Sequence, residues 1–224
     1  MAKLHHFTLD PYCRRIRLAL AEKAMQIQLS DERPWAPSQQ VLDHNPSGLL
    51  PVLVEDSGQA ICGVEALGEY LEEQNAQVHS LLRGNLFQRA EIRRLVAWFD
   101  VKFYTEVSEP LITEKVVKRF MKGAGAPDMA RVRGALQNLK PHLDYVAWLA
   151  EERSWLAGEE LSLADLAAAA HLSAIDYLGD INWNENQVAK SWYQRIKSRP
   201  SFRALLSDTV AGIPPSANYA DLDF

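Results

Sequence analysis

The sequence predicts an α+β protein, in which a small sheet and its helices precede an all-helical region. Short apolar runs flanked by Gly, Pro, Asn and Asp recur early in the chain and are typical of strands. From about residue 86 onwards, apolar residues instead recur at helical spacing. A length of 224 residues suits one large or two small domains. From the change of pattern we divide the chain into residues 1–78, residues 86–212 and a tail of residues 213–224.

The composition is that of a globular protein with a substantial core. Hydrophobic residues make up 47% of the chain and charged residues 24%. No apolar run approaches the length of a membrane span, so we expect no membrane insertion. A net charge of -5 gives no general reason to expect nucleic acid as a partner. Two distant cysteines and no signal-like start favour the cytoplasm, and we expect no metal or other cofactor.

The chain begins with a predicted strand, helix and strand. The first strand is expected at Lys3–Phe7 and the first helix at Arg14–Lys23. Between them, Asp10 is suited to cap the helix and Pro11 suits a first helical turn. Alternating apolar residues predict the second strand at Gln26–Leu29.

Two turns rich in Gly, Pro, Asn and Asp separate the next elements. They predict a strand at Val52–Val54 and a short strand at Gln59–Cys62, with Cys62 in the core. The helix that follows is predicted from apolar residues at helical spacing, at Val64, Leu67 and Leu71.

The later part of the chain predicts helices throughout. Two helical pieces are expected at Leu86–Tyr104 and Leu111–Met121, and a Gly-rich stretch at residues 123–127 ends the second. A long apolar stripe from Val132 to Leu149 predicts another helix, kinked where Pro141 interrupts its hydrogen bonds.

A capping box marks the start of the next helix. Ser162 is suited to cap it, and Asp165 is placed three residues later to return the hydrogen bond. The Ala-rich residues 166–175 predict a central helix packed on all sides, with His171 as a hydrogen-bonded core residue.

Motifs in both halves resemble the glutathione S-transferases. They are N-P-x-G-x-x-P-V-L from Asn45, a hairpin and a helix ending in E-Y-L, the S-x-A-D box from Ser162, and S-R-P-S-F from Ser198. The resemblance implies a thioredoxin-like N-terminal domain and an all-α C-terminal domain. It also implies a cis peptide bond before Pro51, which would turn the backbone of Leu50 toward the glutathione cleft.

The same resemblance implies that the glutathione site is vestigial. Family members hold the γ-glutamyl group with Glu-Ser or Gln-Ser at the start of the third helix, where this chain has Gly63-Val64. Each strong hydrogen bond lost costs roughly 1–3 kcal/mol. Asp10 stands in the place of the usual thiol activator, and an ionised carboxylate cannot donate a hydrogen bond. The expected vestigial cleft comprises Thr8, Asp10, Cys13, Leu50, Pro51, Gly63 and Val64.

Cys13 has two interpretations. Asp10-Pro11-Tyr12-Cys13 resembles a glutaredoxin C-P-Y-C motif whose first cysteine is replaced. A helix N-terminus and the neighbouring Arg14 and Arg15 can lower a thiol pKa. Because the position of the glutaredoxin nucleophile is occupied by Asp10, we expect Cys13 to be structural.

Two segments suggest a protein-binding surface. Trp35 lies between two prolines in a charged loop, which suits an exposed binding anchor, although packing on its own domain is the alternative. The tail carries Tyr219, Asp221, Asp223 and Phe224, a composition unlike that of a disordered segment. The tail either contacts a partner or docks on its own helical domain with its acids solvated.

Together these features resemble the superfamily branch that binds the tubulin-like GTPase FtsZ in bacterial cell division. The resemblance implies a homodimer without transferase activity that favours curvature and bundling of FtsZ filaments at the division site. We expect Trp35 to be an apolar anchor, Arg133 and more weakly Arg131 to pair with acidic groups, and Asp221 and Asp223, beside Phe224, to pair with basic ones. The alternatives are a transferase with an atypical activator, Thr8 or Cys13, and a redox or stress adaptor with another partner.

Overall fold

The computed structural model describes residues 1–74 and 80–224 and has the predicted α+β architecture. Its sheet has the strand order β2-β1-β3-β4, in which β1 pairs parallel with β2 and the other pairs are antiparallel. The strands are β1 Lys3–His6, β2 Gln28–Asp31, β3 Val52–Val54 and β4 Ala60–Cys62. The predicted domain limit at residue 78 lies outside the described residues, and the division into domains stays a prediction.

Helices cover the sheet and form the whole of the later region. In chain order they are α1 Pro11–Glu22, α2 Gln39–His44, α3 Val64–Gln74, α4 Leu86–Ala97, α5 Glu109–Ile112, α6 Lys118–Phe120, α7 Met129–Glu152, α8 Leu163–Tyr177, α9 Gln187–Lys197 and α10 Arg203–Leu206. Wider π-helical turns at Trp98–Ser108 and Thr113–Val117 join α4, α5 and α6 into one continuous helical path. The two helical pieces expected before the Gly-rich break are therefore a single path.

The early elements differ from the predictions mainly at their ends. The α1 helix begins at Pro11, three residues earlier than expected, and Asp10 caps it by accepting a hydrogen bond from the Cys13 N–H. The β2 strand begins two residues later than predicted. The short helix α2, capped by Ser38, was not predicted from the sequence. Cys62 is half-buried on the edge strand β4, so its assignment to the core was wrong.

The α8 helix is the centre of the core, and every one of its residues is buried. Its predicted capping box is present between Ser162 and Asp165. The buried Asp165 carboxylate also accepts hydrogen bonds from the Leu156 N–H at 2.9 Å and the Trp192 indole at 3.1 Å. This carboxylate therefore joins the start of α8 to the preceding loop and to α9.

His171 on α8 is the hydrogen-bonded core residue that the sequence predicts. Its Nδ1 lies 2.8 Å from Ser108 Oγ, and its Nε2 lies 3.2 Å from the Asp100 carboxylate. Asp100 also forms a buried ion pair with Arg15 from α1. A chain of polar contacts thus connects α1, the π-helical turns and α8.

Over the residues that the structure describes, no helix is both long and apolar enough to cross a membrane. The same described residues contain no group of three or more His, Cys, Asp or Glu side chains placed to hold a metal ion.

We expect Asp165→Ala to lower the free energy of unfolding by about 3 kcal/mol or more, because it leaves several buried donors without an acceptor. The matched control is Asp128→Ala, since Asp128 caps α7 at an exposed position by accepting from two backbone N–H groups. That substitution should cost only about 1 kcal/mol. Chemical denaturation measures both values, and equal losses would contradict the role assigned to burial.

Candidate functional site

The side-chain hydroxyls of the turn between β1 and α1 form hydrogen bonds within the protein. The Thr8 hydroxyl donates to the Asp31 carboxylate at 3.3 Å. The Tyr12 hydroxyl donates to the Asp100 carbonyl at 2.7 Å, and its ring packs against Tyr104 at 4.6 Å. Both hydroxyls that a thiol could use are therefore engaged within the protein.

Asp10 and Cys13 do not form a thiol-activating pair. Burial raises the pKa of Asp10 from 3.8 to about 6. The Cys13 thiol is fully buried, and burial together with the Asp10 carboxylate raises its pKa well above the usual value. Burial favours the structural Cys13 that we expected over the alternative of a lowered thiol pKa, because Arg14 and Arg15 pair with groups of the helical half.

The Gly63-Val64 pair lies where the resemblance places the γ-glutamyl site. The Leu50–Pro51 peptide bond is cis, as the resemblance implies, and the Gly63 N–H donates to the Pro51 carbonyl at 3.0 Å. Gly63 has a φ of +88°, a conformation that side-chain-bearing residues rarely adopt. The Val64 carbonyl accepts a hydrogen bond from Arg15 at 3.0 Å. At these two positions the chain offers an apolar side chain and no carboxylate or hydroxyl.

Trp35 lies in an aromatic cluster between the two halves of the molecule. Its ring stacks on Phe120 with centroids 5.7 Å apart and contacts the edge of Phe7 at 5.6 Å. The side chain is half-buried, so Trp35 packs on its own chain, the alternative that the sequence left open, while part of its ring stays exposed. Beside it lies a cavity of about 320 Å³, lined among others by Phe7, Thr8, Asp31, Trp35, Phe120 and Val210.

Residues 213–224 dock on the protein through buried tyrosines. The Tyr177 hydroxyl donates to the Ile213 carbonyl at 2.7 Å, and the Ser216 N–H donates to the Tyr177 carbonyl at 2.8 Å. Tyr219 is fully buried and its ring contacts Tyr177 at 5.1 Å. The docked arrangement, one of the two predicted for the tail, is the one present.

The buried Arg14 guanidinium connects this tail to the β1–α1 turn. It donates to Tyr219 Oη at 2.8 Å and to Ser173 Oγ at 2.9 Å. It also pairs with Asp208 at 3.1 Å, and its Nε donates to the Thr8 carbonyl at 2.8 Å. The sequence analysis missed this role. An arginine on the core side of an apolar helix is the signal that a buried acceptor cluster must exist.

The end of the tail places one aromatic ring inward and two carboxylates outward. Phe224 packs against Trp183 and Tyr193, and Lys197 Nζ lies 3.9 Å from the Phe224 ring centroid. Asp221 and Asp223 are exposed. The tail therefore presents carboxylates from a fixed backbone.

The two predicted basic residues have different surroundings. Arg131 is paired with Glu109 and, at 3.0 Å, with the buried Glu114. Arg133 is exposed and forms no ion pair with any residue that the structure describes. Arg131 is thus engaged within the chain, and Arg133 is the more available of the two.

Comparison with known proteins identifies relatives of two kinds. A family model described as "Glutathione S-transferase, N-terminal domain" matches residues 11–74. FtsZ-localized protein A of Caulobacter vibrioides is 47% identical over 224 residues, which cover 99% of this chain and 97% of that protein.

The similar solved structures are also of these two kinds. A structure named FzlA from C. crescentus superposes with a TM-score of 0.94 and 47% identity, covering 100% of this chain and 99% of that one. A structure described as a glutathione S-transferase from Rhodospirillum rubrum F11 superposes with a TM-score of 0.96 and 49% identity, covering 100% of both chains.

We expect Asp10→Asn to stabilise the protein increasingly as the pH rises. A folded-state pKa raised from 3.8 to about 6 means that the folded protein binds this proton more tightly, so stability is lost as the pH rises through that window. Asparagine keeps the capping oxygen without the charge. The free energy of unfolding of Asp10→Asn should exceed that of wild type by almost nothing at pH 4 and by about 1–3 kcal/mol above pH 7.

Denaturation at several pH values measures this gain. Asp10→Ala is the control, since it removes both charge and cap and should be about 1 kcal/mol less stable than Asp10→Asn throughout. A difference between Asp10→Asn and wild type that stays constant from pH 4 to 8 would show that the carboxyl is not perturbed.

Proposed function

The chain belongs to the glutathione S-transferase superfamily, and on that premise we propose that it is a non-catalytic, FtsZ-binding regulator of bacterial cell division. The observation that carries this proposal is its similarity to FtsZ-localized protein A over 99% of the chain. That similarity extends beyond the thioredoxin-like half into the helical half and the tail, which carry most of the proposed contact residues.

The geometry of the cleft supports the absence of transferase activity. Gly63 and Val64 supply no polar side chain for a γ-glutamyl group, and the Thr8 hydroxyl is engaged by Asp31. The buried Cys13 thiol has a raised pKa, which disfavours the thiolate that nucleophilic chemistry needs. The scaffold is thus retained while the groups that would bind and activate glutathione are replaced.

The proposed contact residues come from two places, the Trp35 cluster and the exposed acids of the tail. Trp35 offers an apolar ring held rigidly by Phe7 and Phe120, which suits the anchor of an interface. Asp221 and Asp223 would pair with basic groups of FtsZ, and Arg133 with acidic ones. Phe224 would hold the tail in place. Arg131 would contribute mainly through its pairs with Glu109 and Glu114.

A homodimer would explain how such a protein acts on filaments. Two-fold symmetry presents one contact surface twice. Two linked sites bind a filament lattice with avidity and can bridge two filaments or impose curvature on one. We therefore place the protein in the cytoplasm at the division site, where it would bundle and curve FtsZ filaments.

A transferase with an atypical activator is the second candidate function. It is favoured by the Rhodospirillum rubrum F11 structure, which is described as a glutathione S-transferase and is 49% identical to this chain. Thr8 and Cys13 are the residues that would supply the activating group.

We expect Asp221→Lys and Trp35→Ala to abolish co-sedimentation with polymerised FtsZ. The first reverses an exposed charge, and the second removes the apolar anchor. Matched controls are Glu151→Lys, another exposed carboxylate, and Trp148→Ala, an exposed tryptophan on α7. Because Trp35 packs against Phe7 and Phe120, a thermal melt must accompany that variant. Normal pelleting of both folded variants would refute this surface.

We expect no heat of binding when reduced glutathione is titrated into the protein at millimolar concentration, and no turnover with a chloronitrobenzene acceptor. The reason is the loss of polar partners at Gly63-Val64, each worth roughly 1–3 kcal/mol. An active glutathione transferase measured in parallel is the positive control. A micromolar Kd would establish the second candidate function instead.

A further inference from the structure

The β2 strand forms one edge of the sheet and exposes backbone groups on its outer side. The N–H groups of Gln28 and Glu32 face β1 and donate to the Ala2 and His6 carbonyls at 2.9 and 2.8 Å. In a parallel ladder alternate residues face opposite sides, so the backbone groups of Leu29 and Asp31 point outward. Among the residues that the structure describes, none forms a hydrogen bond with the Leu29 or Asp31 backbone.

This edge is short and ends in the charged Asp31, but it lacks the other features that usually protect an edge strand. Its sequence, Gln-Leu-Ser-Asp, contains no lysine, proline or bulge. The Leu29 side chain is 44% exposed, which places an apolar group beside the free backbone groups. The opposite edge strand, β4, differs because all three of its residues are half-buried.

The end of β2 leads directly into the aromatic cluster. Asp31 lines the cavity beside Trp35 and Phe120. An extended segment laid along β2 would therefore reach this cavity with one of its side chains. Because side chains alternate along a strand, Leu29 and Asp31 lie on the same face of the sheet. An incoming segment meets an apolar group and a carboxylate on that face.

Asp31 gives this edge a negative charge. Its side chain is 81% exposed and lies 3.2 Å from His6 Nε2. Burial, together with the charge of Arg17, lowers the pKa of His6 to about 4, so the imidazole is neutral at pH 7. The carboxylate consequently keeps its charge for a basic group of a partner.

We propose that the β2 edge binds an extended segment of FtsZ by strand addition, with a basic side chain at Asp31 and an apolar side chain in the cavity beside Trp35. This inference rests on the proposed function and names the mode of recognition. Strand addition takes its affinity from main-chain hydrogen bonds and its specificity from pockets for alternate side chains.

The test compares Leu29→Pro with Leu29→Ala in co-sedimentation with FtsZ filaments. Both remove the side chain, but only proline removes the outward N–H, and it leaves the ladder to β1 intact because that N–H is not part of it. We expect Leu29→Pro to bind roughly tenfold more weakly than Leu29→Ala. Circular dichroism and thermal melts of both variants establish that they fold.

Amide hydrogen exchange of the wild-type protein gives a second, independent measurement. We expect the Leu29 and Asp31 amides to exchange more slowly when FtsZ filaments are present. This measurement needs no variant, so it decides the question even if Leu29→Pro fails to fold.

The outcomes separate the two proposals. Binding of wild type with equal affinities for the two Leu29 variants, or with unprotected amides, overturns strand addition and leaves the proposed function standing. Failure of wild type to bind FtsZ overturns both. Protection of these amides that grows with protein concentration in the absence of FtsZ shows pairing between two copies of this chain, and overturns the proposal as well.

Discussion

The structure depends on one buried positive charge, the Arg14 guanidinium. It comes from the first helix of the thioredoxin-like half and is satisfied by Ser173, Asp208 and Tyr219 in the helical half. A buried charge that loses its partners costs several kcal/mol, so these contacts are retained together or lost together. The orientation of the two halves and the docking of the tail therefore depend on the same group.

This constraint also determines what the β1–α1 turn can do. Arg14 donates a hydrogen bond to the Thr8 carbonyl. The Thr8 hydroxyl donates to the Asp31 carboxylate, and the Tyr12 hydroxyl donates to the Asp100 carbonyl. A turn whose polar groups are engaged in this way is rigid and has little left to offer a small thiol. The exposed groups lie around it instead, on the tail and at the edge of the sheet.

Local patterns predicted most of the fold, because they carry their own physical signal. The capping box at Ser162 was predicted from its own residues, whereas the cis bond before Pro51 and the significance of Gly63-Val64 were implied by the resemblance to the glutathione S-transferases. The predicted β2 strand was displaced by two residues because an exposed edge strand has no alternation of buried apolar residues. The α2 helix buries only Val41, so its sequence lacks the apolar stripe from which a helix is predicted.

Contacts between distant residues were beyond the reach of the sequence. Arg14 and Tyr219 are separated by 205 positions, and nothing in either segment identifies the other. The same holds for Arg131. Nothing in the sequence indicates that it pairs with Glu109 and Glu114 inside the chain. The stacking of Trp35 on Phe120 likewise required both halves to be placed.

The complete burial of α8 has a consequence for synthesis of the chain on the ribosome. The segments that enclose this Ala-rich helix include α9 and the docked tail, which leave the exit tunnel after α8 has emerged. During that interval the hydrophobic centre of the molecule is open to solvent and to chaperones. Final closure of the core therefore waits until Tyr219 has emerged and docked against Arg14 and Tyr177.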